Sequence, residues 1–349
     1  MPASLWPAVV YAVILVLHLV VPARHVAGYV RDPLTGEPLR YRLNGARVLV
    51  VTVGLYVAVG AAGWLPWDLF WTHRYAMAAG AAALGLVFTL AVVLPAPRRG
   101  SLLADLYLGR LDNPRWGGVD LKMVLYLAGA ILLELNVLAA AAHHLMTHAS
   151  PNPGVLLFAA MMSFFVVDYL LFEEVHLYTY DLFAERVGFK LGWGCLAFYP
   201  YFYAVGLWTT ADLPAPGTPP AALAACVAVF LAGWVLSRGA NLQKFLFKTR
   251  PESRLLGLAP VAIEGRLLCS GFWGLARHIN YLGEILMAVG LALVLGHPAA
   301  IGPWLYPLYY LLLLLPRERA DDRRCAAKYG PLWDEYRRRV PRRIVPGVY

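Results

Sequence analysis

The chain has 349 residues, 60% of them hydrophobic and 15% charged, with a formal net charge of +9. An average soluble domain carries about 25% charged residues, so this balance excludes an ordinary soluble domain and points to an all-α, polytopic membrane protein. Four cysteines without CxxC pairing, and no HExxH, Walker or strand-linked GxGxxG pattern, leave no zinc, iron–sulfur or P-loop signature, and no metal is expected.

Apolar runs at 5–23, 46–64, 75–95, 123–143, 155–172, 191–209, 221–237, 282–297 and 301–316 each approach the ~20 residues that cross ~30 Å of hydrocarbon as helix. Nine spans are counted and ten can be accommodated. The first run has no basic region before it and no small-residue cleavage site, so it reads as a span and not a signal peptide. Of the 30 Lys/Arg, 29 fall on alternate loops (24–47, 98–122, 176–190, 238–281 and the tail from 317), leaving Arg74 alone on the other side. This positive-inside pattern places the amino terminus outside and the basic carboxyl-terminal segment in the cytosol. Topology thus accounts for the positive charge without nucleic acid, and the tail also suits anionic lipid headgroups. The Pro/Gly-rich stretch 211–220 reads as an exterior loop.

Polar residues line up in five places. Span four carries Glu134 and Asn136, for which a structural role is expected. "VVDYLLFEEVHLYTYDLFAERVGFK" concentrates Asp168, Glu173, Glu174, Tyr178, Tyr180 and Asp181. In "ANLQKFLFKTR" Asn241, Lys244 and Lys248 recur at i, i+3 and i+7, and in "LLCSGFWGLARHINYLGEIL" Arg277, Tyr281 and Glu284 recur at i, i+4 and i+7, so each set is expected on one helical face. After the last span Asp321, Cys325 and Tyr329 follow at i, i+4 and i+8, and Gly330–Pro331 restarts a helix carrying Trp333 and Tyr336. Any one of the last three sets alone reads as a membrane-flanking basic helix whose long side chains snorkel. At one membrane face together, they read as a site for a multiply anionic ligand.

"GEPLRYRLNG" (36–45), "GRLDNPRWGGVDLK" (109–122), "GANLQKFLFK" (239–248), "LLCSGFWGLARHINYLGE" and "CAAKYGPLWDEYRRRVPRRIVPGVY" (325–349) together resemble the signature of the membrane sterol reductases, the sterol Δ14-reductase, 7-dehydrocholesterol reductase and lamin B receptor type. The resemblance implies an all-helical reductase of nine or ten spans, with NADPH as hydride donor and a sterol substrate entering from the bilayer. It places the NADPH contacts on Lys244, Lys248, Leu268, Trp273, Arg277, Asn280, Tyr281, Asp321, Cys325, Tyr329 and Tyr336. Residues 1–239 would then carry the membrane helices and sterol pocket, and 240–349 the cofactor. The family has Arg where this chain has Lys248, which keeps the charge and loses the bidentate fork, and Asp where it has Glu284.

An isolated alkene is no electrophile, so the implied chemistry needs protonation of one carbon before hydride can add to the other. A buried carboxyl can stay protonated near neutrality for this task, and a tyrosine can relay the proton. Glu174 and Asp181, seven residues apart, are the favoured pair, with Tyr178 as relay, Asp168 as a further acid and Glu284 at the cofactor end. The chain departs from the family at Leu171–Phe172, where Trp-Asn is expected, and at Cys195, which occupies an Asp position; both bear on which double bond is reduced, C-14, C-7 or C-24. Two other readings stand beside this one. The carboxyl-terminal third is also similar to isoprenylcysteine methyltransferases that use S-adenosylmethionine, and a sterol-binding membrane protein without catalysis would retain the same motifs.

Overall fold

The computed structural model describes all residues, 1–349. The chain forms two compact units, Met1–Ala215 and Pro216–Tyr349. In the first, α1 (Trp6–Val20) leads into an antiparallel hairpin of β1 (Arg24–Arg31) and β2 (Pro38–Leu43), followed by α2 (Gly45–Ala61), the short α3 (Leu69–Thr72) and α4 (Arg74–Val93). After α5 (Leu102–Leu108) comes a small hairpin, β3 (Arg115–Trp116) with β4 (Val119–Asp120), then the long helices α6 (Leu121–Thr147) and α7 (Pro153–Leu171). The unit closes through α8 (Glu173–His176), α9 (Tyr180–Phe183), a π-helical segment (Phe189–Phe198), α10 (Tyr199–Phe202) and α11 (Val205–Thr210). The second unit contains α12 (Pro220–Thr249), the hairpin β5 (Ala262–Ile263) with β6 (Leu267–Leu268), α13 (Phe272–Leu275), α14 (Ile279–Val294), α15 (Ile301–Tyr329) and α16 (Pro331–Arg339). The fold is therefore mostly helical, with three two-stranded hairpins that an all-α reading leaves out.

Five helices are long and apolar enough to cross a membrane: Ala3–Val20, Arg74–Val93, Leu121–Thr147, Pro153–Leu171 and Pro220–Thr249, with Gly45–Ala61 and Ile279–Val294 as shorter apolar helices. Their burial differs in a way the sequence does not advertise. α6 is buried nearly all round, Ala130 through Leu133 and Val137 at 0% exposure, which makes it the centre of its unit. By contrast α1 leaves Val9, Val13, Val16 and Leu19 exposed along one face. The apolar run 191–209, expected as one span, is instead a π-helix followed by two short helices. Pro200, which lacks an N–H, sits in the first turn of α10, where a proline is tolerated, and the break comes after Phe202, while Gly192 lies flat against Phe88 and Thr89.

Helix ends are closed by cations. Arg42 Nε donates to His18 O at 2.7 Å and its Nη2 to Leu19 O and Val21 O, while Asn44 Nδ2 donates to His18 O and Val21 O, so the last carbonyls of α1 are satisfied. Arg110 does the same for α4: Nη1 reaches Val93 O, Leu94 O and Ala96 O, and Nε pairs with Asp105 Oδ2 at 2.7 Å, both side chains buried. The "GRLDNPR" motif thus folds the α5 loop back onto α4. Gly109 permits this, because it has φ +92° and an added Cβ would meet the Val187 carbonyl. Side-chain caps start the two long helices: Asp120 Oδ1 accepts from Met123 N, and Asn152 Oδ1 from Gly154 N ahead of which Pro153 opens α7.

In the second unit α12 and α14 pack through glycines. A Cβ on Gly283 would lie 2.5 Å from Gly233 O and from Ser237 N, so the two backbones meet with nothing between them. Gly283→Ala must therefore push the helices apart, and the overpacking should cost ~1–3 kcal/mol. Thermal unfolding in detergent checks this: Gly283→Ala should lower the midpoint, while Gly54→Ala, where an added methyl meets nothing within 4 Å, should leave it unchanged or raised.

Candidate functional site

The polar cluster of the second unit gathers at the end of α12. Lys244 Nζ lies 5.7 Å from the centroid of the Trp273 ring, and Lys248, one turn on, donates to Arg266 O at 3.3 Å. Trp273 is locked on both sides: its indole N–H donates to Ala240 O at 2.8 Å, and its carbonyl accepts from the Tyr336 hydroxyl at 3.1 Å, joining α12 to α16. Gln243 sets the intervening loop, with Oε1 accepting from Phe272 N and Nε2 donating to Ser270 O. Asn280 Nδ2 donates to Asn241 Oδ1 at 3.4 Å, and its own Oδ1 is buried without a hydrogen-bond partner. Tyr281 is buried and stacked on His278 at 4.9 Å, and Glu284 Oε1 accepts from Ser237 Oγ at 2.6 Å.

α15 contributes the opposite wall as one continuous helix that runs past Pro316 to Tyr329, and Gly330, at φ +54°, ends it before α16 begins at Pro331. Burial raises the Asp321 carboxyl above the usual range, opposed by Lys244, Arg324 and Arg317. Burial also pushes the Cys325 thiol up to about 12, with Asp321 adding to it, so this thiol packs and does not react. Cys325, Tyr329 and Tyr336 pack with Ile263, Leu267, Trp333 and Val340 in one apolar cluster. Leu268, buried beside it in β6, pairs with Ala262. Arg266 and Lys328 lie 5.3 and 5.1 Å from the Tyr329 ring centroid. Four cations, two half-buried rings and a buried amide oxygen without a donor are a chemistry that fits an anionic dinucleotide.

Arg277 departs from the expected pattern. α14 begins at Ile279, so Arg277 precedes the helix and does not share a helical face with Tyr281 and Glu284. Its Nη1 donates to Val340 O (3.0 Å) and Pro341 O (3.2 Å), its Nε lies 3.9 Å from Asp322, and its N–H bonds Arg342 O. The side chain is 4% exposed and is committed to pinning the segment after α16. Next to it burial and the charges of Arg277, Lys244 and Arg343 hold the His278 imidazole down to about 3, hence neutral. Asp322, Gln243 and Arg266 are the contributors that the sequence reading passed over. Asp322 stands beside a chosen residue, Gln243 sits inside a quoted motif, and Arg266 is the cation just before β6; local contacts, which spacing does not report, distinguish them.

In the first unit the acidic segment does not form the single helix that its spacing suggested. α8 and α9 are four-residue helices separated by turns, so Glu174, Tyr178 and Asp181 do not stack at i, i+4 and i+7. Glu174 is partly exposed and lies 3.6 Å from Arg24. Its neighbour Glu173 is the buried one, with Oε2 accepting from Gly45 N at 2.9 Å at the start of α2. Burial pushes the Glu173 carboxyl up to about 7, with the Gly45 N–H and Arg24 opposing. Tyr178 meets Tyr29 edge-on at 5.7 Å, and Asp168 is buried near the end of α7. Deeper in the unit Glu134 accepts from Ser163 Oγ and Asn136 donates to Pro200 O, which ties α6 to its neighbours. Cys195 is buried in the π-helix, whose backbone at that residue lies against Gly129 of α6.

The profile of the "Ergosterol biosynthesis ERG4/ERG24 family" matches residues 3–349. The chain belongs to this family. It is 33% identical over 329 residues to a "Delta(14)-sterol reductase" of Arabidopsis thaliana, covering 90% of this chain and 88% of that one. It is 33% identical over 343 residues to a "Delta(14)-sterol reductase" of Methylotuvimicrobium alcaliphilum (90% and 76%), and 35% over 332 residues to "Delta(14)-sterol reductase TM7SF2" of Mus musculus (89% and 77%). Family membership and the apolar helices make it an integral membrane protein.

Arg277→Ala should lower stability by about 1.5–3 kcal/mol for a lost charged hydrogen bond, since two carbonyls lose their donor. Thermal unfolding should show Arg277→Lys recovering only part of the loss, because a lysine has no fork to span both carbonyls. An Arg277→Ala protein as stable as the parent would remove the pinning role.

Proposed function

We propose that this protein is an NADPH-dependent sterol reductase that saturates a carbon–carbon double bond, the C-14 bond before C-7 or C-24. The observation that carries the reading is the 33–35% identity, over 89–90% of the chain, to proteins named for that reaction. The methyltransferase likeness is confined to the carboxyl-terminal third, whereas the family match spans residues 3–349.

In this proposal residues 240–349 hold the cofactor and 1–239 the sterol, which enters from the bilayer. Lys244 and Lys248 face the phosphates, Trp273 and Tyr329 lie against the rings, and Leu268, Asp321, Cys325 and Tyr336 shape the wall. Asn280 and Tyr281, at the start of α14 with Glu284 one turn below, orient the nicotinamide end, and Arg277 acts by tying the residues just before α14 to the segment after α16. Bound NADPH supplies the hydride. The chain's own part is to protonate the alkene first, which requires an acid placed beside the reacting carbon. Glu174 and Asp181 are assigned that role, with Tyr178 as relay and Asp168 in reserve.

Product analysis of the purified protein with NADPH and a panel of Δ7, Δ14 and Δ24 sterols tests the reading. The Δ14 substrate should be reduced. In heavy water with ordinary NADPH one carbon of the former double bond should carry deuterium, and with deuterated NADPH in ordinary water its partner should. Glu174→Gln should reduce turnover by at least ~100-fold, the usual worth of a general acid, and leave NADPH affinity nearly unchanged. Both labels on one carbon would exclude proton-then-hydride addition, and an active Glu174→Gln protein would move the acid to Asp181 or Asp168.

We also propose nine or ten membrane crossings, an amino terminus outside and a cytosolic carboxyl-terminal segment, on the strength of the Lys/Arg distribution. Ala215→Cys should be labelled by an impermeant thiol reagent from outside intact cells. Labelling only after permeabilisation would reverse the orientation.

A further inference from the structure

The first turn of α6 holds a lysine with no access to water. Lys122 is 0% exposed, stands two residues after the cap Asp120, and donates from Nζ to the Leu182 carbonyl at 2.8 Å. The position is unfavourable twice over: an ammonium loses its hydration on burial, and the amino-terminal end of a helix carries positive partial charge that repels it. Four carboxylates, Asp120, Asp112, Asp181 and Glu185, are within electrostatic reach and offset part of that cost. Of these Asp120 also caps α6 through Met123 N and lies 3.7 Å from Arg115, and Glu185 pairs with Lys190 at 2.5 Å.

Leu182 lies in α9, a four-residue helix too short to hold itself by internal hydrogen bonds. It is seated instead by packing with Tyr41, Leu43, Met123 and Leu177, against which Tyr126 and Tyr178 also lie, and by the hydrogen bond from Lys122. Asp181 immediately precedes the pinned carbonyl. Besides Lys122 of α6, it is within electrostatic reach of Tyr169 of α7 and Cys195 of the π-helix. A buried cation thus stands where the acidic turn meets the long central helix.

We propose that Lys122 is the positioning residue of the acidic turn, fixing α9 through Leu182 O and standing as the countercharge to Asp181. Its bearing on proton transfer rests on the reductase reading above. The pinning itself does not.

Hydrogen exchange and kinetics of the purified full chain separate the two. Lys122→Met removes the donor and the charge, and Lys122→Gln keeps a donor and removes the charge. The Met variant should raise amide exchange over 178–185 by about tenfold or more, as expected where one charged hydrogen bond is lost, with residues 125–145 and the second unit still protected. The Gln variant should restore much of that protection. In the reductase assay both variants should lower kcat with NADPH affinity unchanged. Both should also move the high-pH limb of the rate profile to higher pH, because a carboxyl that has lost a neighbouring cation keeps its proton longer. A merely structural lysine would not move that limb.

Unchanged exchange over 178–185 in the Met variant overturns the pinning, and an unmoved pH profile in both overturns the electrostatic role. Should the Met variant lose protection throughout, the Gln variant decides both points. A parent protein that reduces no sterol would refute the reductase reading, while the exchange data would still decide whether Lys122 pins α9.

Discussion

Backbone polarity at helix ends is the constraint on which this structure depends. In a chain of this composition helices terminate among apolar side chains, and each unpaired carbonyl there costs on the order of 1–3 kcal/mol. An arginine carries five donors in a rigid fork and can close several carbonyls at once. Arg42 and Asn44 at the end of α1, Arg110 at the end of α4, and Arg277 at the segment after α16 all do this. Each links a helix end to a loop distant in sequence, so the same contacts that satisfy the backbone also set the connectivity of the fold.

The basic residues consequently fall into two populations that sequence treats alike. One is buried and committed to backbone oxygen: Arg110, Arg277 and Lys122 are between 0% and 4% exposed. The other borders rings and loop carbonyls at the end of α12 and α15, namely Lys244, Lys248, Arg266 and Lys328. Only the second population can meet an anionic ligand without first dismantling a helix end. The motif "GRLDNPR" has its first basic residue in the first population, which explains how a signature can be diagnostic of a family and still be structural.

The long apolar helices were legible because hydropathy averages over a whole element, and the Gly330–Pro331 break was legible because both residues act through their own backbone. The stretch 191–209 was not, since a π-helix and an α-helix draw on the same residue types and differ in which carbonyl each N–H reaches. The hairpins were missed for a related reason. "RHVAGYVR" pairs with "PLRYRL" across a turn, and neither shows a clean alternation of apolar and polar residues. In the candidate site, spacing correctly put Asp321, Cys325 and Tyr329 on one helix and failed at Arg277, because the helix start two residues later depends on packing against residues 340–343.

Glu173 and Glu174 show most directly why residue type stops short of role. They are adjacent and identical, yet one is buried against the first N–H of α2, where the helix end favours its charge and desolvation opposes it more strongly, and the other reaches partly exposed toward Arg24. With its folded pKa raised to about 7, Glu173 favours the folded state most when protonated, and the cost of ionising it in place grows as pH rises from the ordinary glutamate value toward 7. It is therefore bound up with the stability of the α2 junction. Its ionised form caps α2 more strongly but carries the desolvation cost, so each change of its protonation would perturb the junction it closes. The proposed reading accordingly gives proton transfer to Glu174, which is partly exposed beside Arg24, and to Asp181, which precedes the carbonyl that Lys122 holds.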